Sequence, residues 1–207
     1  MFITLEGPEG SGKTSHLPDL ADFLREDGWN VLTTREPGGT AIGDQVRQVL
    51  MRNDNTAMNP RAETLLFLAA RAQLVNEVIR PALAAGTVVI SDRYGDSTLA
   101  YQGYGHGNDL DTIRQMLAFA TGGLTPDLTV LLDVDPAVGL RRKKSVGEWN
   151  RMDAYQLEFH QRVRAGYLEL ARQEPRRWVV LDAGLPREMV QSALRQVILA
   201  RLTPPTV

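Results

Sequence analysis

The segment that most constrains this chain is a glycine-rich loop between a predicted strand and a predicted helix. It matches the pattern G-x-x-x-x-G-K-[ST], and its residues are Gly7, Pro8, Glu9, Gly10, Ser11, Gly12, Lys13 and Thr14. An apolar run precedes the loop and a helical pattern follows it, which is the context that this motif requires. Glycines let backbone N–H groups turn toward phosphate oxygens, and the start of the helix adds partial positive charge. The loop therefore predicts a site for a nucleoside triphosphate.

Two side chains of this loop have predicted roles. Lys13 is expected to reach the β- and γ-phosphates, and the hydroxyl of Thr14 is expected to hold Mg²⁺. The motif does not choose the chemistry, because motors, switches, ATPases and kinases all use it.

Short apolar runs alternate with longer amphipathic stretches along the chain. The runs are rich in Val, Ile, Leu or Thr and predict strands at 2–6, 30–34, 87–91, 128–133 and 178–182. The amphipathic stretches predict helices at 13–27, 63–85, 154–172 and 187–202. This alternation predicts an α/β fold, a five-stranded parallel sheet with helices on both faces. With 207 residues, we expect a single domain over 1–207.

Two segments predict mobile loops. One is 103–109, which is rich in glycine. The other is 141–153, which is dense in Arg and Lys and poor in apolar residues. A flexible basic segment beside a triphosphate site is suited to close over the phosphates and to exclude water. We therefore expect 141–153 to act as a basic lid.

Composition excludes several classes of function. The net charge of −2 gives no broad basic face for polymeric nucleic acid. The chain has no cysteine, which excludes disulfides and thiolate metal sites. No apolar run approaches the roughly 18 residues of a membrane span, and the N-terminus does not have the pattern of a signal peptide. We expect a cytoplasmic protein that does not bind membranes.

Charged residues follow two of the predicted strands. Arg35 comes after the second strand, and Asp92 and Arg93 come after the third. Ligands of open parallel sheets lie outside the carboxyl ends of the strands, so these residues and the phosphate loop should meet in one crevice. Arginine grips phosphate oxygens at two points. Asp92 is a candidate to organise Mg²⁺, and Asp133 after the fourth strand is the competing acid.

Four segments together resemble bacterial thymidylate kinases, which belong to the P-loop nucleoside monophosphate kinases. They are the phosphate loop, Arg-Glu-Pro-Gly-Gly-Thr at 35–40, Leu-Leu-Phe-Leu-Ala-Ala-Arg-Ala-Gln at 65–73 and the 92–103 segment from Asp-Arg-Tyr to Tyr-Gln-Gly. The resemblance runs from residue 1 to about 182. It implies transfer of a phosphoryl group from MgATP to dTMP, by direct in-line displacement, in dTTP synthesis.

The resemblance also implies roles for matching positions. Phe67 would stack on the thymine ring, and Arg71 would hydrogen-bond its O4 atom. Glu9 would receive the 3′-hydroxyl of the sugar, and Tyr101 would lie against its 2′ position. The acceptor phosphate would be held by Arg35 and Arg93, and further substrate contacts would come from Ser97, Thr98 and Gln102.

The family differs in where its catalytic arginine lies. This phosphate loop carries Pro8, Glu9 and Ser11 instead of a basic residue there, so the chain resembles the lid-arginine type. The implied catalytic residues are Lys13, Asp92, Arg93, Arg141 and Arg151. The chain departs from the family pattern at Ala70, Leu74, Lys143, Lys144 and Asn150. The family also implies a homodimer.

Other classes remain open on sequence alone. A deoxynucleoside kinase also carries Glu-Pro and Asp-Arg after these strands, although Arg35 before Glu36 favours a phosphate as the acceptor. A P-loop switch or ATPase would hydrolyse its nucleotide without an acceptor. A nucleic-acid-binding protein would use the basic run of the lid, against which the net charge of −2 argues.

Overall fold

The fold is built on one parallel sheet, and the predicted fold class is confirmed. A computed structural model of the chain describes residues 1–145, 147 and 149–202. The sheet order is β2-β3-β1-β4-β5, and every neighbouring pair is parallel. The strands are β1 Phe2–Glu6, β2 Val31–Arg35, β3 Val88–Asp92, β4 Leu128–Asp133 and β5 Trp178–Asp182.

Helices connect the strands and cover the sheet. The α-helices are α1 Lys13–Glu26, α2 Ala41–Met51, α3 Pro60–Leu74, α4 Arg80–Ala84, α5 Gly95–Thr98, α6 Leu110–Thr121, α7 Pro136–Ser145, α8 Leu157–Gln173 and α9 Arg187–Leu199. Two π-helical segments, Val75–Ile79 and Leu99–Gly105, continue α3 and α5.

Alternate residues of the central strands enter three apolar cores, and the third contains Phe2 of β1 and Val89 of β3. On one face, Ile3 and Leu5 of β1 pack with apolar residues of α1 and α9. On the other face, Leu131 of β4 packs with α8 and the 99–105 segment. Because β1, β3 and β4 are buried on both sides, they read as continuous apolar runs.

The strand register brings the carboxyl ends of three strands to one edge. Leu5 pairs with Asp92, and Asp92 pairs in turn with Arg35. The phosphate loop leaves β1 at the same edge. The candidate residues from three distant parts of the sequence therefore converge there, as the sequence predicts.

Several helices differ from the sequence-based prediction. The single helix predicted at 63–85 is α3, a π-helical turn and α4. Pro81 has no N–H to donate within a continuous α-helix, and the π-helical turn before it accommodates that loss. Helices α2 and α6 are absent from the sequence-based prediction.

The two predicted loops are partly helical. Residues 103–105 end the Leu99–Gly105 π-helix, and residues 141–145 end α7. Val146 and Glu148 of the predicted lid, and residues 203–207, lie outside the described residues. Among the helices that the structure describes, none combines the length and the apolar character needed to cross a membrane.

Candidate active site

A cleft of about 600 Å³ opens at the carboxyl edge of the sheet. It brings together most of the residues that the sequence singled out. The predicted residues that line it are Glu9, Gly10, Ser11, Gly12, Lys13, Thr14, Arg35, Phe67, Asp92, Arg93, Ser97, Thr98, Tyr101 and Gln102. The predicted residues outside its lining are Gly7, Pro8, Arg71, Arg141 and Arg151.

The phosphate loop packs closely against α7. Gly10 has a φ of 68°, and a Cβ atom there would lie 2.0 Å from the carbonyl oxygen of Gly139. Only glycine fits both constraints. Lys13 folds over the loop, and its Nζ donates to the carbonyls of Gly7 and Pro8 at 2.9 Å each. Burial, together with the positive charge of Arg93, lowers the pKa of Lys13 to about 8.

Thr14 and Asp92 form the pair suited to a divalent cation. The Thr14 hydroxyl donates to Oδ2 of Asp92 at 2.6 Å. The competing acid, Asp133, is bound by both nitrogens of the Arg164 fork at 2.7 Å each and does not line the cleft. Asp92 is therefore the strand-end carboxylate that faces the phosphate loop.

Arg93 lines the cleft and has a left-handed backbone conformation, with φ of 72°. Such a conformation is uncommon for a residue other than glycine and clusters at functional sites. Its Nη2 donates to Oε1 of Glu9 at 2.7 Å and to the hydroxyl of Tyr101 at 3.1 Å. The guanidinium also lies 4.9 Å from the centre of the Tyr101 ring.

Glu9 connects the phosphate loop to three other groups. It accepts from Arg93, from the Tyr101 hydroxyl at 3.0 Å and from Nζ of Lys143 at 3.1 Å. Burial by itself raises the pKa of Glu9, but the positive charges of Arg93, Lys143 and Lys13 hold it well below its usual range. Glu9 is thus a fixed anion and a hydrogen-bond acceptor.

The cleft also contains a second group of arginines. Arg35 and Arg47 both line it, and Nη1 of Arg47 donates to the carbonyl of Pro37 at 2.9 Å. Burial, together with the positive charge of Arg35, lowers the pKa of Arg47. A negatively charged group bound between the two arginines would relieve their repulsion. The cluster therefore favours an anionic ligand.

One wall of the cleft contains Phe67, which is half-buried. Arg71 follows Phe67 by one turn of α3, is 1% exposed and does not line the cleft. It donates to Glu36 at 2.7 Å, to the Thr98 hydroxyl at 2.8 Å and to the Tyr94 carbonyl at 2.9 Å. In this arrangement Arg71 supports the wall through Glu36 and Thr98, both of which face the cleft.

The basic residues of the predicted lid divide into two groups. Arg142 and Lys143 line the cleft. Arg141 is exposed on α7, outside the cleft lining. Arg151 is 6% exposed and is ion-paired with Glu63 at 2.6 Å. The structure therefore does not bring Arg141 or Arg151 to the phosphate loop. Arg151 is held away from it by its ion pair with Glu63.

Comparison with known proteins identifies the family. The profile described as "Thymidylate kinase" matches residues 5–194. The chain belongs to the thymidylate kinase family. It is 52% identical to the thymidylate kinase of Deinococcus radiodurans, over 94% of each chain. It is 46% identical to that of Herpetosiphon aurantiacus, over 98% of this chain and 97% of the relative.

A solved structure agrees with this family. The crystal structure of thymidylate kinase from Ehrlichia chaffeensis has a TM-score of 0.79 and 35% identity, covering 96% of this chain and 98% of that chain. As a thymidylate kinase, the enzyme phosphorylates dTMP to dTDP with ATP and serves nucleotide biosynthesis.

Arg47 and Lys143 are among the charged residues of this thymidylate kinase cleft that sequence reasoning missed. Arg47 lies on α2, a helix that was not predicted, and a lone arginine on a surface helix has no signal in one sequence. Lys143 departs from the family pattern and lies in the predicted lid. The run of basic residues predicts that this segment meets phosphates. Which basic side chains reach the cleft depends on how α7 packs against Gly10.

Proposed function

We propose that the enzyme transfers the γ-phosphoryl group of ATP directly to the phosphate of dTMP, without a phosphoenzyme. One observation carries this proposal: Lys13 of the phosphate loop and the arginines Arg35, Arg47 and Arg93 face the same cleft. A phosphate acceptor is already ionised near neutral pH, so it needs no general base. The enzyme must instead align two anions and neutralise their repulsion, which is how phosphoryl transfer is catalysed.

We assign the donor phosphates to the phosphate loop and Lys13, and a magnesium ion to Thr14 and Asp92. The donors present fit this ion, because Mg²⁺ is usually held by one or two carboxylates while keeping waters and substrate phosphates as its other ligands. Among the described residues, no group of three or more His, Asp or Glu side chains offers an all-protein metal site. When bound, the ion would neutralise charge on the β- and γ-oxygens.

We assign the acceptor to the other half of the cleft. Arg35, Arg47 and Arg93 would hold its phosphate, and the half-buried ring of Phe67 supports stacking of the thymine base. Glu9 supports the predicted contact with the 3′-hydroxyl, since its carboxylate accepts hydrogen bonds at this point of the cleft. Tyr101 lies beside Glu9 and would occupy the 2′ side of the sugar. The hydrogen bond from Arg71 to O4 stays a prediction.

We propose that 141–153 closes over the phosphates as a lid and supplies the cation that a loop arginine supplies in other members. In the arrangement described here, Lys143 and Arg142 are better suited to this role than Arg141 and Arg151, because both line the cleft. The contact between Lys143 and Glu9 supports this, since it brings the lysine within 3.1 Å of the phosphate loop.

We also propose a homodimer. Leu65 on α3 and Phe119 on α6 are 57% and 92% exposed, and these two helices pack against each other. Large apolar side chains exposed on neighbouring helices favour a protein interface.

An ADP-release assay across a panel of nucleoside monophosphates tests the proposed function. Thymidine, which has no phosphate, serves as the acceptor that a deoxynucleoside kinase would prefer. We expect dTMP to give the highest kcat/KM, thymidine to be inert and Arg93→Ala to reduce kcat/KM for dTMP by about 10²-fold or more. Arg25→Ala, an exposed arginine on α1, is the matched control. Phosphorylation of thymidine would contradict the proposal. A wild-type value of kcat/KM for dTMP in Arg93→Ala would also contradict it.

A further inference from the structure

A fully buried acid lies beside the cleft and has no role in the chemistry described above. Glu6 is the last residue of β1 and is 0% exposed. Its side chain lies on the same face of the sheet as Thr4, the face covered by α5 and α8. An ionised carboxylate in such a place is costly unless it is well bonded, so its partners show what it is for.

The carboxylate of Glu6 accepts three hydrogen bonds. The backbone N–H of Tyr94 donates to Oε1 at 2.8 Å. The hydroxyl of Tyr167 donates to Oε2 at 2.9 Å, and the hydroxyl of Ser97 donates to the same oxygen. Burial and the nearby Asp96 raise the pKa of Glu6 to about 7, while these bonds and the charge of Arg93 oppose that rise.

The same two hydroxyls also contact Arg93. Its Nη1 lies 3.2 Å from Oγ of Ser97 and 3.1 Å from the hydroxyl oxygen of Tyr167. A guanidinium can only donate, whereas a hydroxyl has one proton and two lone pairs. Both hydroxyls therefore accept from Arg93, which leaves the proton of each for a bond to Glu6; the two hydroxyl oxygens also lie 2.8 Å from each other.

Glu6 also acts on the backbone of Arg93. The N–H that it binds belongs to Tyr94, the residue directly after Arg93, whose φ is 72°. A residue in this region persists only where its surroundings hold it. Glu6 thus contacts both the peptide that follows Arg93 and, through two hydroxyls, its guanidinium.

We propose that Glu6 is a positioning residue, which holds Arg93 in its left-handed conformation and aims its guanidinium at the acceptor phosphate. This rests on the proposed function of Arg93 as an acceptor-phosphate ligand. Glutamine at position 6 would keep an acceptor for Tyr94. It would replace the other oxygen with a donor, so the two hydroxyls would have to reverse their bonds.

The test compares steady-state kinetics of Glu6→Gln with those of the wild-type enzyme. We expect KM for dTMP to rise about 10-fold and kcat to fall by a similar factor, because misplacement of a binding group affects both. KM for ATP should stay within about twofold, since the phosphate loop is retained. Thr4→Val is the matched control: Thr4 is 0% exposed on the same strand, and its hydroxyl bonds Thr129 at 3.0 Å instead of Arg93. We expect its kinetics to be unchanged.

A second comparison repeats Glu6→Gln in an Arg93→Ala background. If Glu6 acts through Arg93, the substitution should change kcat/KM for dTMP by less than about twofold there. A full effect in that background, or an equal rise of KM for ATP and for dTMP, would overturn the proposal. If Arg93→Ala alone had wild-type kinetics, the acceptor site itself would be wrong, which is a separate result.

Tyr167→Phe covers the case in which Glu6→Gln does not fold. It removes one of the two bridging hydroxyls and leaves the carboxylate and its bond to Tyr94 in place. We expect a rise of about threefold in KM for dTMP without a change in KM for ATP. Wild-type values of both constants would overturn the proposal.

Discussion

The Nζ atom of Lys143 lies 3.1 Å from Oε2 of Glu9, so an ion pair joins the end of α7 to the phosphate loop. The same nitrogen lies 3.2 Å from Oδ1 of Asp153, at the far end of the predicted lid. Burial by itself lowers the pKa of Lys143, but Glu9 and Asp153 raise it above its ordinary value. Lys143 is therefore a firmly charged lid residue, held between two carboxylates at the edge of the cleft.

Replacement of Lys143 by alanine should lower kcat by about 10- to 100-fold, because it removes a cation close to the transferred group. Arginine at this position should restore most of the activity. Lys144→Ala provides the control, since Lys144 is an exposed neighbour on the same helix. The measurement is kcat at saturating dTMP and ATP. Equal effects of the two alanine substitutions would show that the lid contributes only a diffuse positive charge.

Asp92→Asn should raise the Mg²⁺ concentration required for half-maximal activity by about tenfold or more, because an amide is a weaker ligand for a hard cation. Its bond with Thr14 places this aspartate beside the first residues of α1, where the phosphate loop ends. The competing assignment is tested by Asp133→Asn, which should leave the Mg²⁺ dependence unchanged because Arg164 occupies that carboxylate. If Asp133→Asn raised the Mg²⁺ requirement and Asp92→Asn did not, the magnesium ligand would be Asp133 instead of Asp92.

The sheet and the convergence of the cleft were predictable because both depend on local patterns. Apolar runs predict buried parallel strands, and the ends of such strands share one edge whatever the connections between them. Asp92 ends β3, Arg93 follows it, and Lys13 begins α1 after the phosphate loop, so their common location needed no knowledge of helix packing.

The remaining parts depend on contacts between distant residues. The partner of Arg151 is Glu63, which is far away in sequence and lies on α3, whereas Arg151 lies in a turn before α8. In the sequence, Glu6 is only a charged residue at the end of a predicted strand. Its role depends on the hydrogen bond from Tyr167 of α8, which is far away in sequence. Arg47 reaches the cleft only because α2 packs beside the loop after β2. A single sequence has no signal for such pairings, and the periodic pattern of a helix does not show which face meets the site.

Binding of ATP to the free enzyme should weaken as the pH rises through about 8, because the pKa of Lys13 is lowered to about 8 by burial and by Arg93. The charged form binds phosphate, so kcat/KM for ATP should fall above that pH. Bound phosphates favour the charged lysine, so kcat should hold to higher pH. Rate measurements from pH 7 to 9.5 check this. A flat profile of kcat/KM for ATP would contradict the prediction.

Phe119→Asp should convert the proposed dimer to a monomer, since it would bury a charge in an apolar interface. Size-exclusion chromatography with light scattering measures the mass directly. Leu199→Asp is the control, because Leu199 is also exposed, at 37%, but lies at the end of α9. A wild-type enzyme that elutes as a monomer at micromolar concentration would exclude the proposed interface.

Glu63→Gln should lower the free energy of unfolding by about 3 kcal/mol, because it leaves the buried guanidinium of Arg151 without its counter-charge. The side chains of Glu63 and Arg151 are 1% and 6% exposed. Burial by itself raises the pKa of Glu63, but hydrogen bonds from His106 and Gln102 and the charge of Arg151 lower it to about 2. Urea unfolding of both proteins at neutral pH measures the difference.

The same pair sets the pH dependence of that difference. A carboxyl group whose pKa is lower in the folded than in the unfolded protein stabilises the fold above its unfolded value, near 4.5, and loses that contribution as the pH falls toward 2. The gap between wild type and Glu63→Gln should therefore narrow below about pH 4.5, because a protonated glutamate resembles glutamine. Glu188→Gln, at an exposed position in the first turn of α9, should show no such gap. A difference that stayed constant down to pH 3 would mean that the side chain of Glu63 stabilises the fold by its shape and not by its charge.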